Sequence, residues 1–223
     1  CCVTNSLYYD QRMQRICTSL QKAGYAVTLV GRKGTSPENM STPSYREHRL
    51  PIWFTRGPLF YVEFQIRLFM YLIFHSADIY NAADLDTLPA VYFASICKRT
   101  KRVFDAHEWF TQQKEVVTRK RVHRIWLMAE RWLIPKCTSG YTVNQSLANL
   151  FFKEYGVQYA VIRNVPHWKP LPEKVDRNFN RWIIYQGAVN EGRCFEQLLP
   201  AMQQVDCRLS IWGNGNYLTQ LNK

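Results

Sequence analysis

The sequence predicts an α/β fold, a doubly wound parallel sheet followed by the start of a second one, and three observations carry that prediction. Strand-like apolar runs alternate with helix-period segments almost from end to end, the order expected of parallel strands joined by helical crossovers. One such run, Val103-Phe104-Asp105-Ala106, passes directly into His107 and Glu108, and open α/β sheets present chemistry at the carboxyl ends of their strands. Hydrophobic residues make up 47% of the 223, ample for a packed core.

Residues 1–5 read as the tail of a strand whose beginning is absent. Residues 10–24 place Met13, Ile16, Cys17 and Leu20 on one helical stripe, closed by Gly24. Strands are expected over 25–31 and, after a polar loop, over 45–50. Residues 59–75 form a strongly apolar helix with Glu63, Gln65 and Arg67 on its wet side; it reads as a buried core helix, or as a helix partly embedded in a membrane surface. A strand over 78–81 leads into a helix over 86–98, with Pro89 in the first turn, where a missing amide is tolerated. A strand over 102–106 is followed by a helix over 121–134 with Val122, Ile125, Trp126, Ala129 and Leu133 inward. Next come a strand over 140–143, a helix over 145–155 stopped by Gly156, and a strand over 159–163. Residues 1–165 thus make one domain. Residues 166–180 have linker composition. From 181 to 223 a second series opens: a strand over 182–186, a helix over 194–204, a strand over 208–212. It is too short to bury a sheet on both faces and is expected to be the truncated start of a second domain.

The formal charge of +12 favours anionic partners. Residues 98–124 hold nine basic and three acidic side chains, a solvated face or a patch for an anionic membrane. The seven cysteines contain no Cys-x-x-Cys pair, so zinc-ribbon and thioredoxin-like chemistry drop out and reduced, mostly buried thiols of a cytoplasmic protein are expected. The apolar run over 68–74 reaches about 10 Å as helix, against roughly 30 Å of hydrocarbon, too short to span it.

Asp105, His107 and Glu108 are the first candidates for chemistry; the plain alternative is a turn cap and a satisfied polar residue. In Asp84-Leu85-Asp86 two carboxylates could share a divalent cation, but Asp86 heads a helix and reads more readily as its cap and as active-site wall. Gly187-Ala188-Val189-Asn190-Glu191-Gly192-Arg193 follows a strand and opens a helix, so its glycines would admit a diphosphate and Arg193 would add a charge-assisted contact. It fits neither the dinucleotide nor the P-loop spacing. Gly213-Asn214-Gly215 is a similar but weaker turn.

Taken in order, Ala82-Ala83-Asp84-Leu85-Asp86-Thr87-Leu88-Pro89, Phe104-Asp105-Ala106-His107-Glu108, Glu130-Arg131-Trp132-Leu133-Ile134-Pro135, Thr142-Val143, Arg163-Asn164-Val165-Pro166 and the 185–193 segment closely resemble glycosyltransferase family four. These are retaining nucleotide-sugar transferases of the GT-B fold. The resemblance implies two Rossmann-like domains facing across a cleft, the first for the acceptor and the second for the donor. It places His107 against the donor sugar, with Asp105 and Glu108 beside it. Gly187, Gly192, Arg193, Gly213 and Gly215 fall on the donor side, and Asp84, Asp86, Asp10 and Arg12 on the acceptor side. No metal or other cofactor is implied. Three departures stand out. Ala188 replaces a second phosphate-binding cation, Cys194 stands where a glycine is usual, and no pair of glutamates with seven residues between them occurs; that pair is expected beyond Lys223.

The resulting expectation is a cytoplasmic glycosyltransferase, peripheral at the inner face of the membrane. It would move a sugar from a nucleotide-diphosphate donor to a saccharide or glycolipid acceptor with retention, and would be inactive as this piece alone. The competing reading is a basic α/β module that binds anionic lipid or nucleic acid. The core placement of the aromatics over 121–134 argues against nucleic acid.

Overall fold

The computed structural model describes residues 1–8, 10–34, 43–166, 168, 170 and 182–221. They divide into two compact units, Cys1–Pro166 and His167–Lys223. The linker expected over 166–180 lies mostly outside the described residues, as does Lys223.

In the first unit seven strands pair in parallel: β1 (Cys2–Ser6), β2 (Thr28–Arg32), β3 (Arg46–Leu50), β4 (Ile79–Ala83), β5 (Lys101–Ala106), β6 (Gly140–Thr142) and β7 (Ala160–Val161). Their order is β3-β2-β1-β4-β5-β6-β7, a Rossmann-like sheet. The chain steps outward from β1 to β3, then returns to lay β4 on the other side of β1. The crevice outside β1 and β4 is therefore the topological switch point, where such sheets bind ligands.

Among the described residues six helices connect the strands: α1 (Gln11–Lys22), α2 (Gly57–Phe74), α3 (Leu88–Lys98), α4 (Lys114–Val117), α5 (Lys120–Leu133) and α6 (Gln145–Tyr155). Right-handed crossovers put α1 on one face of the sheet and α2, α3, α5 and α6 on the other, because the direction of strand addition reverses after β3. The core divides the same way. Val3, Leu29 and Ala83 pack with Met13 and Cys17 of α1; their strand neighbours Cys2, Val30 and Ala82 join Phe64, Val91, Trp126 and Phe151 on the other side. That is the period-two alternation of a sheet covered on both faces.

Several expectations are corrected. α2 does not carry its polar residues outward: Glu63 accepts from the Trp53 and Phe54 amides, each at 2.9 Å, and from Arg67 Nε at 2.7 Å, while Gln65 accepts from the Ala90 amide at 2.9 Å. Phe60, Phe64, Leu68 and Leu72 are buried, but Leu59, Val62, Ile66, Met70 and Phe74 are exposed, so α2 is only half a core helix. By length and composition this 18-residue helix could cross a membrane, which the shorter run 68–74 did not suggest; its buried row instead docks it on the sheet. In α5, Ile125 is exposed, whereas Glu130 is buried and accepts from the Tyr155 hydroxyl; a wide apolar pattern hid a polar contact. β7 is only two residues long, and Tyr159 before it is buried, its hydroxyl donating to Cys137 O at 2.9 Å. All seven thiols are free, but only Cys2, Cys17 and Cys137 are buried. The short helix α4 and a 3-10 turn at Phe110–Gln112 had no sequence signal strong enough to register.

In the second unit β8 (Trp182–Gln186) and β9 (Arg208–Trp212) pair in parallel, joined through α7 (Phe195–Met202) and followed by α8 (Leu218–Leu221). Its core is small: Val189 and Phe195 are fully buried, and the Phe195 ring stacks on Tyr217 at 5.8 Å.

Candidate active site

β4 and β5 pair with Ala83 opposite Asp105, and the Asp84 amide donates to Asp105 O at 3.0 Å. The register delivers the residues after both strands to one place, where His107 Nε2 lies 3.2 Å from Asp84 Oδ2. These two, with Asp86, Glu108, Thr4 and Asn5, line a cleft of about 370 Å³ at the switch point. Phe60 and Tyr61 of α2, Phe110, and Val122 and Trp126 of α5 form its apolar wall, and Arg32 and Arg119 supply its cations.

Asp105 sits behind this surface. It is wholly buried, paired with the Arg12 guanidinium and accepts from the Tyr141 hydroxyl at 3.0 Å, which in turn accepts from Asn81 Nδ2 at 3.1 Å. Its Oδ1 is 3.9 Å from His107 Nδ1. Asp105 is thus enclosed behind the cleft surface with the Arg12 guanidinium against it. The Asp10 side chain caps α1 by accepting from the Met13 amide at 3.0 Å. The expected capping role of Asp86 is not seen, because the helix begins at Leu88 with Thr87 as its cap residue. The Asp86 carboxyl instead accepts from the Thr4 hydroxyl. Glu108 accepts from Gln113 Nε2.

Desolvation dominates the electrostatics. Burial, then repulsion from Asp86, Glu108 and Asp105, raises the Asp84 pKa well above the usual carboxylate value, with Arg12 opposing. Burial pushes Asp86 up to about 7, against the Thr4 hydrogen bond. Burial lowers His107, which nearby Asp105 only partly offsets. Neutral forms are therefore favoured at Asp84 and His107. Asp84 also has φ +62°, left-handed backbone uncommon outside glycine, and its Oδ1 is buried without a hydrogen-bond partner among the described residues. Such strain with an orphaned oxygen is characteristic of functional positions. Among the described residues no group of three or more His, Cys, Asp or Glu is arranged to hold a metal ion.

In the second unit, Gly187 has φ +159° and Gly192 φ +81°. The helix expected from residue 194 starts at Phe195, with Cys194 as its cap at φ +61°; this left-handed position accounts for a glycine preference there. Arg193 is exposed. Gly213 and Gly215 are needed by the chain itself, since a Cβ would come within 1.8 Å of Gly187 O and 2.0 Å of Val189 O respectively. Sequence reasoning missed Thr4, Asn81, Arg32 and Tyr141. Only Thr4, at the end of a strand beside the switch point, carried a usable signal.

A Rossmann-like domain with ionisable side chains gathered at its switch point has the architecture in which α/β proteins bind ligands. Residues 11–168 match Glycosyltransferase Family 4, well over half of the chain, and the protein belongs to that family. No curated protein matches it.

Proposed function

We propose that the protein transfers a sugar from a nucleoside-diphosphate donor to a saccharide or lipid-linked acceptor, with retention at the anomeric carbon. The observation that carries this reading is the His107–Asp84 contact at the switch-point cleft of a glycosyltransferase-family domain. The cleft seats the acceptor, its hydroxyls facing Asp84, Asp86 and Glu108. His107 contacts the transferring sugar. A neutral imidazole supplies a hydrogen bond there without a positive charge beside the developing oxocarbenium ion. The Gly187–Arg193 loop takes the donor diphosphate, and Arg193 stabilises the charge left on it as the bond to the sugar breaks. The acceptor oxygen forms the new bond to the anomeric carbon, and its proton departs to the diphosphate.

The test is thermal unfolding of the full-length protein with a panel of nucleoside diphosphates and with oligonucleotides. Protection by at least one diphosphate is expected, and in Arg193→Ala its affinity should fall by about 1.5–3 kcal/mol, the worth of a charged hydrogen bond. His107→Ala should lower kcat more than donor affinity. Protection by oligonucleotides alone would replace the transferase reading with a nucleic-acid module.

A further inference from the structure

α2 is inverted relative to an ordinary surface helix, whose polar residues face water. Glu63, Gln65 and Arg67 are tied to neighbouring groups, which fixes the rotation of the helix. What remains outward is an unbroken row of Leu59, Val62, Ile66, Met70 and Phe74, 45–73% exposed. The row continues sideways. α2 packs on α3 and α3 on α5, and outward on these two helices are Phe93 and Ile96, then Met128 and Trp132. The Phe93 and Trp132 rings meet at 5.8 Å, joining the apolar surfaces of α3 and α5, with the α2 row beside them on the helix that packs on α3. Contiguous apolar surface of this kind marks an interaction site.

Charge selects the occupant. Arg121, Arg124 and Arg131 are exposed along α5, and Arg99 closes α3. The acidic residues of α2, α3 and α5 are Glu63 and Glu130 alone, the first bonded to two amides and Arg67, the second buried. The layer thus presents apolar and cationic groups and no carboxylate of its own helices. Two indoles carry cations on their faces, Arg67 over Trp53 at 4.6 Å and Lys136 over Trp132 at 3.4 Å, and both indoles are exposed. Aromatic rings beside cations are the side-chain chemistry of a membrane–water interface.

We propose that the outer face of α2, α3 and α5 docks on an anionic phospholipid bilayer, the α2 row entering the headgroup–acyl boundary and the arginines contacting lipid phosphates. Phe60 and Tyr61 of α2 and Val122 and Trp126 of α5 also wall the cleft, so the docking helices and the cleft share two elements. The inference rests on the surface alone and holds whether or not sugar transfer is the reaction.

The experiment is co-sedimentation of the full-length protein with vesicles of phosphatidylglycerol and phosphatidylcholine, and with phosphatidylcholine alone, with light scattering of the protein without lipid. Binding to the anionic vesicles, weakened by salt, is expected. Val62→Ser/Ile66→Ser/Met70→Ser should reduce it by about tenfold or more, at an unchanged melting temperature because the three side chains are exposed. Arg121→Glu/Arg124→Glu/Arg131→Glu, remote from the α2 packing, should reduce it on the order of a hundredfold at low salt. The proposal is overturned by absent vesicle binding, by binding that neither variant alters, or by a protein oligomer that the serine variant dissolves while the wild type ignores lipid.

Discussion

His107 Nε2 stands 3.2 Å from Asp84 Oδ2 although the two residues follow different strands. The contact is set by the β4–β5 register, not by local sequence. Burial raises the one group and lowers the other, so at each of them the uncharged form is favoured relative to the same group in water. A contact of that kind offers hydrogen bonds to hydroxyl groups while adding no net charge to the cleft.

Asp86 supplies a pH test of the cleft wall. Its folded pKa of about 7, against 3.8 for the model compound, means the folded state holds the proton more tightly. Its contribution to stability is fully present below about pH 4 and lost as pH rises through 7. Asp86→Asn, which can still accept from Thr4, should leave stability unchanged at pH 3.5 and raise it at pH 8 by up to about 4 kcal/mol. Urea denaturation at the two pH values checks this; an equal effect at both would mean that the carboxyl ionises as freely as in water.

Arg12 and Asp105 make a buried pair, and removing one member strands the other. Arg12→Met should cost about 3–5 kcal/mol. In Arg12→Met/Asp105→Asn the loss should be smaller, since the stranded charge is gone while Tyr141 keeps an acceptor. Chemical denaturation of the two variants decides it, and equal losses would make the arginine's role one of packing.

The sheet was legible because each strand is a compact apolar run bounded by a helix-period segment, and because Asp105-x-His107-Glu108 ends one of those runs. The site was legible only in part. Asp84, Asp86, His107 and Glu108 follow strands and gather at the switch point, but the roles of Asp105 and Arg12 depend on a contact between α1 and β5 that no local pattern encodes. The inverted face of α2 was hidden for a related reason. With apolar residues all round, a helix has no periodicity to fix its rotation, and three polar residues suggest a wet side unless their partners are known.

Cys194 occupies a left-handed position at the start of α7, which costs an L-residue about 1–2 kcal/mol. Cys194→Gly should recover about 1 kcal/mol of that, net of the flexibility glycine adds to the unfolded chain. Gly213→Ala should do the opposite, costing about 1–3 kcal/mol or more, because the new methyl meets the Gly187 carbonyl rather than a side chain that can move. Hydrogen exchange of the β8 and β9 amides would show both effects, with protection rising in the first variant and falling in the second.

Asp84 combines a left-handed backbone, a buried unpartnered oxygen and the contact with His107. Two substitutions separate these features. Glycine relieves the backbone and removes the carboxyl, so Asp84→Gly should stabilise the fold by up to about 1 kcal/mol, net of the flexibility glycine adds to the unfolded chain, while abolishing the His107 contact. Asparagine tolerates the left-handed region and keeps the shape, so Asp84→Asn retains the contact with His107 but cannot ionise. If the site needs only a neutral hydrogen-bonding contact, Asp84→Asn keeps most of the sugar-transfer activity and flattens the alkaline limb of its pH profile, while Asp84→Gly is more stable and inactive. Calorimetry and pH–rate profiles of the two variants test this together. A stable Asp84→Gly with full activity would show that the strain serves the turn after β4 and not the chemistry.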